Sequence, residues 1–163
     1  MILHVIEAAQ KTNTGDVYIA TPDQKILDVV IKNGGKAILT DVNHETGTDR
    51  IYEVFKKNLN SEPDLIINLQ GDMPNIDPQA ITNLVSYMSE GKCDIGTLAS
   101  TFSSEAELAD ENNVKVATKN KLIINQFDLA IDFFRKDTKK YENYFHHVGI
   151  YAFTNKALVR YVS

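Results

Sequence analysis

Short apolar runs that alternate with segments of helical period constrain this chain more than any other feature. Val17–Ala20 reads as a short strand of buried type, and Lys36–Leu39, Leu65–Leu69, the most hydrophobic, and Asp94–Ala99 read as further strands. Between them, Gln24–Asn33, Asp49–Leu59 and the stretch from Pro78 read as helices. Ile51, Val54, Phe55 and Leu59 form one apolar face, and Ile81, Leu84, Val85 and Met88 at i, i+3, i+4 and i+7 form another. Ile2, Val5, Ile6 and Ala9 place a helix at the start, with no capping residue before it. Three or four alternations in the first hundred residues predict βαβ units. The expected fold is α/β, with a mostly parallel sheet and helices on both faces.

Gly34-Gly35 closes a helix, because glycine tolerates the left-handed cap, and is read as structural. Pro78 suits the first turn of its helix. Ser103–Glu111 is an acidic helix or loop. Val114–Thr118 and Lys121–Asn125 flank Lys119-Asn120 and predict a hairpin. His147–Phe153 is a further strand, and a helix begins at Asn155. No repeat, low-complexity segment or linker divides the 163 residues, so one domain, 1–163, is expected.

Charge and cysteine usage remove several function classes. Twenty-two acidic residues against seventeen basic give a formal charge of −5, and binding to nucleic acid or an anionic membrane needs a basic face instead. No apolar run approaches the ~18 residues of a spanning helix. Met-Ile-Leu-His lacks the basic start of a signal peptide, and the lone Cys93 can form no internal disulfide. A cytoplasmic location is therefore expected, and Cys93, with only Lys92 as a basic neighbour, is expected to be inert.

In open α/β sheets ligands bind beyond the carboxyl ends of the strands. That rule selects residues 21–23, 40–49 and 70–78. None holds a dinucleotide fingerprint or a P-loop. In Asn68-Leu-Gln-Gly-Asp-Met-Pro74 the strand delivers Gln70, Gly71 and Asp72 to the sheet edge. Glycine allows close backbone approach, Gln70 offers a donor and an acceptor, and Asp72 offers a hard anionic oxygen of the kind Mg²⁺ takes alongside phosphate. The same residues also read as a Gly-Asp turn whose aspartate caps the following backbone. In His44-Glu-Thr-Gly-Thr-Asp-Arg50, Thr48 or Asp49 would cap the next helix, and its free N–H groups could hold a phosphate or a base edge. The plainer account there is a capping turn, with Arg50 solvated or paired to a carboxylate. His146 and His147 are adjacent on a strand and point to opposite faces, so at most one faces a site.

With these motifs in order along nearly its whole length, the chain resembles the 3-deoxy-manno-octulosonate (Kdo) cytidylyltransferases, the CMP-Kdo synthetases. The landmarks are HVIEAA around Val5, VYIAT, GGKAILT, HETGTDR, INLQGDMP, NNVKV and HHVGIYAF. The resemblance implies a Rossmann-like nucleotidyltransferase of three layers that couples CTP to Kdo with Mg²⁺, giving CMP-Kdo for lipopolysaccharide and pyrophosphate. It implies Asp72 as magnesium ligand and, with Gln70, as catalytic residue. It places Thr46, Gly47, Thr48, Gln70 and Gly71 at the nucleotide, and His147 and Tyr151 at the sugar. A homo-oligomer, a dimer by preference, is also implied.

The sequence departs from the family pattern in several places. The family's opening strand and basic phosphate loop, and a later aspartate that completes its metal site, have no counterpart in these 163 residues. Pro22 stands where the family has aspartate, and Gln126-Phe-Asp-Leu129 where it has Tyr-Phe-Ser-Arg. The expectation is a chain that is feeble or inactive on its own, with an uncovered sheet edge that favours self-association. Activation of another acidic sugar, such as sialic acid, and a non-catalytic nucleotide-binding remnant are the alternatives. HHVGIYAF favours Kdo.

Overall fold

Helix starts are set by the short polar side chains that precede them. In the computed structural model, which describes residues 1–58, 63–136 and 140–163, Asp23 caps α2 (Gln24–Lys32) and Asp77 caps α4 (Pro78–Ser89). Ser104 caps α5 (Glu105–Ala109), and Thr154 caps α6 (Asn155–Val162). Each accepts a backbone N–H that the helix itself leaves unpaired. The first helix, α1 (Ile2–Lys11), has no side-chain cap, as its sequence indicated, and α3 spans Gly47–Asn58. The expected helix end at Leu59 lies outside the described residues. At the end of α2, Gly34 sits at φ 77°, the left-handed conformation that makes glycine the natural residue there.

The chain forms two compact units, residues 1–96 with 150–163, and residues 97–149. In the first, β1 (Tyr18–Thr21) and β2 (Lys36–Leu39) pair in parallel around the α2 crossover, with Tyr18 opposite Lys36. Strand β3 (Leu65–Asn68) pairs antiparallel with the end of β7 (Tyr144–Thr154), so that Asn68 faces Tyr151. Ile66, Phe153 and Leu158 form a buried cluster there, flanked by Ile51, Tyr52 and Phe55 of α3 and by Val162 of α6. Strand β4 (Ile95–Ser100) also pairs with β7.

In the second unit, β5 (Lys115–Thr118) lies antiparallel between β6 (Ala130–Phe134) and the start of β7. This corrects two expectations. Residues 121–125 are not a strand, and the partner of β5 is 130–134. Strand directions are also mixed where a mostly parallel sheet was expected: β1 and β2 form a parallel two-stranded sheet, while in a second sheet β3 with β7, β5 with β7 and β5 with β6 are antiparallel. The reason is the connections. A parallel return needs a crossover of a dozen or more residues, usually helical. No helix is present among the described residues between β5 and β7, so those strands return antiparallel. Lys115, fully buried, donates from Nζ to the carbonyls of Asp110 (2.6 Å) and Asn113 (3.0 Å) and so closes the turn before β5.

Candidate functional site

The loop after β2 and the start of α3 are built by one reciprocal cap. Thr46 Oγ1 accepts the Asp49 N–H at 3.2 Å, and Asp49 Oδ2 accepts from the Thr46 N–H at 3.0 Å and the Thr46 hydroxyl at 2.6 Å. This Thr-x-x-Asp arrangement is a capping box, so Thr46 is the cap where Thr48 or Asp49 was expected. Gly47 opens the helix, and a Cβ placed on it meets nothing within 4 Å. The cap pairs the Asp49 N–H and leaves the N–H groups of Gly47 and Thr48, at the positive end of the helix dipole, as the donors an anion would meet. Thr46→Ala should cost about 1 kcal/mol of stability, measured by urea unfolding.

Thr48 is buried, and its Oγ1 accepts from Asn68 Nδ2 at 3.3 Å. That bond joins the start of α3 to the end of β3 and brings two of the three motif loops together. Beyond Asn68 the chain turns through Gln70, whose carbonyl accepts the Met73 N–H at 3.4 Å. A Cβ on Gly71 would approach Ile2 Cδ1 at 3.3 Å, so the turn rests against α1. Gln70 and Asp72 are exposed. Among the described residues the Asp72 carboxylate engages no hydrogen bond or ion pair, so it does not cap the following backbone; Asp77 caps α4 instead.

Among the described residues no three His, Cys, Asp or Glu side chains gather as a metal site. A single exposed carboxylate fits Mg²⁺, which keeps several waters and takes one or two carboxylates beside phosphate oxygens. Asp72 would hold the ion in that way.

Arg50 is half-buried and pairs with no carboxylate among the described residues. Its Nη1 donates to Thr40 Oγ1 at 2.6 Å and to the Asp41 carbonyl at 2.7 Å. Glu53, one turn along α3, meets His44 Nε2 at 2.5 Å, the Asp41 N–H at 2.9 Å and Lys57 Nζ at 3.1 Å. Those three contacts, His44 foremost, lower its pKa from 4.5 to about 2. Sequence reading missed this grip, since nothing local marks a contact nine to twelve residues away. Because the folded carboxyl titrates below the unfolded one, the stabilisation is complete above about pH 4.5 and is lost as pH falls towards 2. Glu53→Gln should flatten the acid limb of a stability–pH curve between those values. The pair lines an open cleft of about 730 Å³ with Asn43, Asp49, Tyr52 and Lys56, and a second cleft of about 480 Å³ lies between His4, Lys11 and Pro74. Asp72 lines neither.

The sugar-side candidates fall in different units. In the first, Tyr151 is half-buried and packs on the Ile66 cluster; burial pushes its phenol pKa up. In the second, His147 shares a hydrogen bond with Thr97 Oγ1 at 2.9 Å, and the Phe133 ring meets it edge-on. Burial, then the neighbouring His146, push its pKa down, favouring the neutral ring. His146 points elsewhere, to Glu107 at 2.7 Å and flat against Phe102, so the two histidines do divide between faces. Cys93 turns its thiol to Met88 Sδ at 3.1 Å, and burial raises its pKa, which disfavours thiolate chemistry.

No helix among the described residues is long and apolar enough to cross a membrane. A family model described as cytidylyltransferase matches residues 1–163. The 8-amino-3,8-dideoxy-manno-octulosonate cytidylyltransferase of Shewanella pealeana is 42% identical over 159 residues, covering 96% of this chain and 64% of that protein. The 3-deoxy-manno-octulosonate cytidylyltransferase of Brucella ovis is 36% identical over 165 residues, covering 99% and 65%. The chain thus spans 64% to 65% of the length of these curated relatives. Among solved structures, a CMP:2-keto-3-deoxy-manno-octonic acid synthetase complexed with CTP superposes with a TM-score of 0.82 at 35% identity, over 98% of this chain and 65% of that one. A glucose-1-phosphate thymidylyltransferase from Bacillus anthracis, 15% identical with a TM-score of 0.62 over 97% and 60%, shows the nucleotidyltransferase-like α/β fold alone. Matched from end to end by the family model, and sharing more than a third of its residues with these enzymes over nearly all of itself, the chain belongs to the cytidylyltransferase family.

Proposed function

We propose that this chain carries the nucleotide and metal loops of a cytoplasmic, dimeric cytidylyltransferase that transfers CMP from CTP to Kdo. The observation that best supports the reading is the Asn68–Thr48 bond, which ties the first turn of α3 to the strand leading into the loop that bears an unengaged Asp72. The relatives named above support the choice of CTP and of a manno-octulosonate acceptor.

The anomeric hydroxyl oxygen of the sugar forms a bond to the α-phosphorus and gives its proton to water as the bond from that phosphorus to the bridging oxygen breaks, and pyrophosphate departs with the bonding pair. Bound Mg²⁺ would neutralise charge on the triphosphate. Gly47 and Thr48 offer backbone N–H groups at the helix start to the nucleotide, and Thr46, its own N–H and hydroxyl taken by Asp49, fixes where that turn begins. Gln70 offers its amide, and Gly71 lets the backbone come close. Asp72 would hold the metal, and catalysis by these groups is positioning and charge stabilisation. In the second unit His147, held neutral, suits hydrogen bonding to sugar hydroxyls better than pairing with the sugar's carboxylate, and in the first Tyr151 is the candidate for the sugar. The 42% relative favours a second reading in which the acceptor carries an amine at its eighth carbon.

The test is calorimetric titration of CTP into the chain with and without Mg²⁺. Metal-dependent binding is expected, and no binding in either condition overturns the proposal. Turnover with Kdo and with its 8-amino analogue then separates the two acceptors.

A further inference from the structure

One turn of α3 grips the loop in front of it from both sides. Arg50 holds the Thr40 hydroxyl and the Asp41 carbonyl, while Glu53 Oε2 holds the Asp41 N–H and the His44 ring. Asp41 passes the hold on, since its Oδ1 accepts both the N–H and the side-chain amide of Asn43, at 2.8 and 2.9 Å. The loop then enters Thr46, whose side chain is locked by Asp49. The two oxygens of Glu53 have separate tasks: Oε1 meets Lys57, an ordinary i, i+4 pair, and Oε2 alone reaches the loop. At 12% and 22% exposure, Glu53 and His44 are sheltered from the water that weakens surface ion pairs.

We propose that Glu53 is a positioning residue of the nucleotide site, fixing the course of residues 41–45, and hence the placement of Thr46–Thr48, through the Asp41 amide and the His44 ring. The inference rests on the nucleotide reading of Thr46–Thr48. Without the grip, the loop samples other paths, and apparent affinity falls by the fraction of time it is correctly placed.

The test titrates Mg²⁺ and CTP into the 163-residue chain and into Glu53→Ala, Glu53→Gln, His44→Ala and Lys57→Gln. Glu53→Ala should raise Kd about tenfold at unchanged stoichiometry, as expected for a loop competent about a tenth of the time. Glu53→Gln keeps an oxygen for the Asp41 amide and should recover part of the loss. Lys57→Gln should bind as the parent does. A role confined to holding the fold would lower the stoichiometry and leave the Kd of the remaining sites unchanged, which overturns the proposal. Should Glu53→Ala not fold, His44→Ala decides: weaker binding supports the proposal and parental Kd overturns it. A parent chain that binds no CTP defeats the nucleotide reading itself, whereas a binding parent with an indifferent Glu53→Ala defeats only the positioning role.

Discussion

Replacing Asp72 by Asn should erase the difference that magnesium makes to CTP binding. The carboxylate stands exposed after β3 and engages no other described residue, so the protein does not depend on it for its shape. An exposed, unengaged side chain usually changes stability by no more than about 0.5 kcal/mol when substituted. The melting curve of Asp72→Asn should therefore overlay that of the parent. Its binding should not. A neutral amide is a poor ligand for a hard dication, and a charge-assisted contact is worth about 1.5–3 kcal/mol. At 1.4 kcal/mol per decade this is about 10- to 100-fold in Kd with Mg²⁺ present, and nothing without it. Equal losses in both conditions would show that Asp72 meets the nucleotide directly.

Phe153→Ala should be the most destabilising of the substitutions considered. Phe153 is 2% exposed and sits with Ile66 and Leu158 at the centre of the first unit's core. Its ring lies 6.1 Å from Tyr151 and 5.6 Å from Tyr161. Deleting a buried phenyl ring costs about 3–5 kcal/mol, from lost transfer energy and the cavity left behind. Against a typical total of about 5–15 kcal/mol, that is a large share of what holds the protein folded. Ile51, Tyr52 and Phe55 seat α3 on this cluster, so the loss also loosens the helix whose first turn faces the proposed nucleotide. Urea unfolding followed by circular dichroism reads the effect. Ile124→Ala, at a position 89% exposed, is the control and should stay within about 0.5 kcal/mol.

The elements that could be read from sequence are those whose cause is local. Apolar runs mark β1 to β4, Gly34 ends α2, and Pro78 opens α4. The misread elements have competing local signals. Lys121–Asn125 has an apolar run beside a turn dipeptide and so imitates a hairpin strand, yet Ile123 and Ile124 are exposed and Asn125 turns with φ 63°. Asp128 accepts the Asn120 N–H at 2.6 Å, which closes 120–128 as a loop and passes the pairing to Ala130–Phe134. At the site, the motif loops were legible because their residue types are unusual, and the Thr46 cap was there to be read in its spacing from Asp49. The Glu53–His44–Asp41 grip was not, because it joins residues that only folding brings into contact.

Backbone amide shifts recorded while Mg²⁺ and CTP are added to the labelled chain test the central claim most directly. The account predicts that the largest changes fall on residues 46–48 and 70–72 together. Changes centred instead on the cleft between His4, Lys11 and Pro74, with those six amides unmoved, would contradict it.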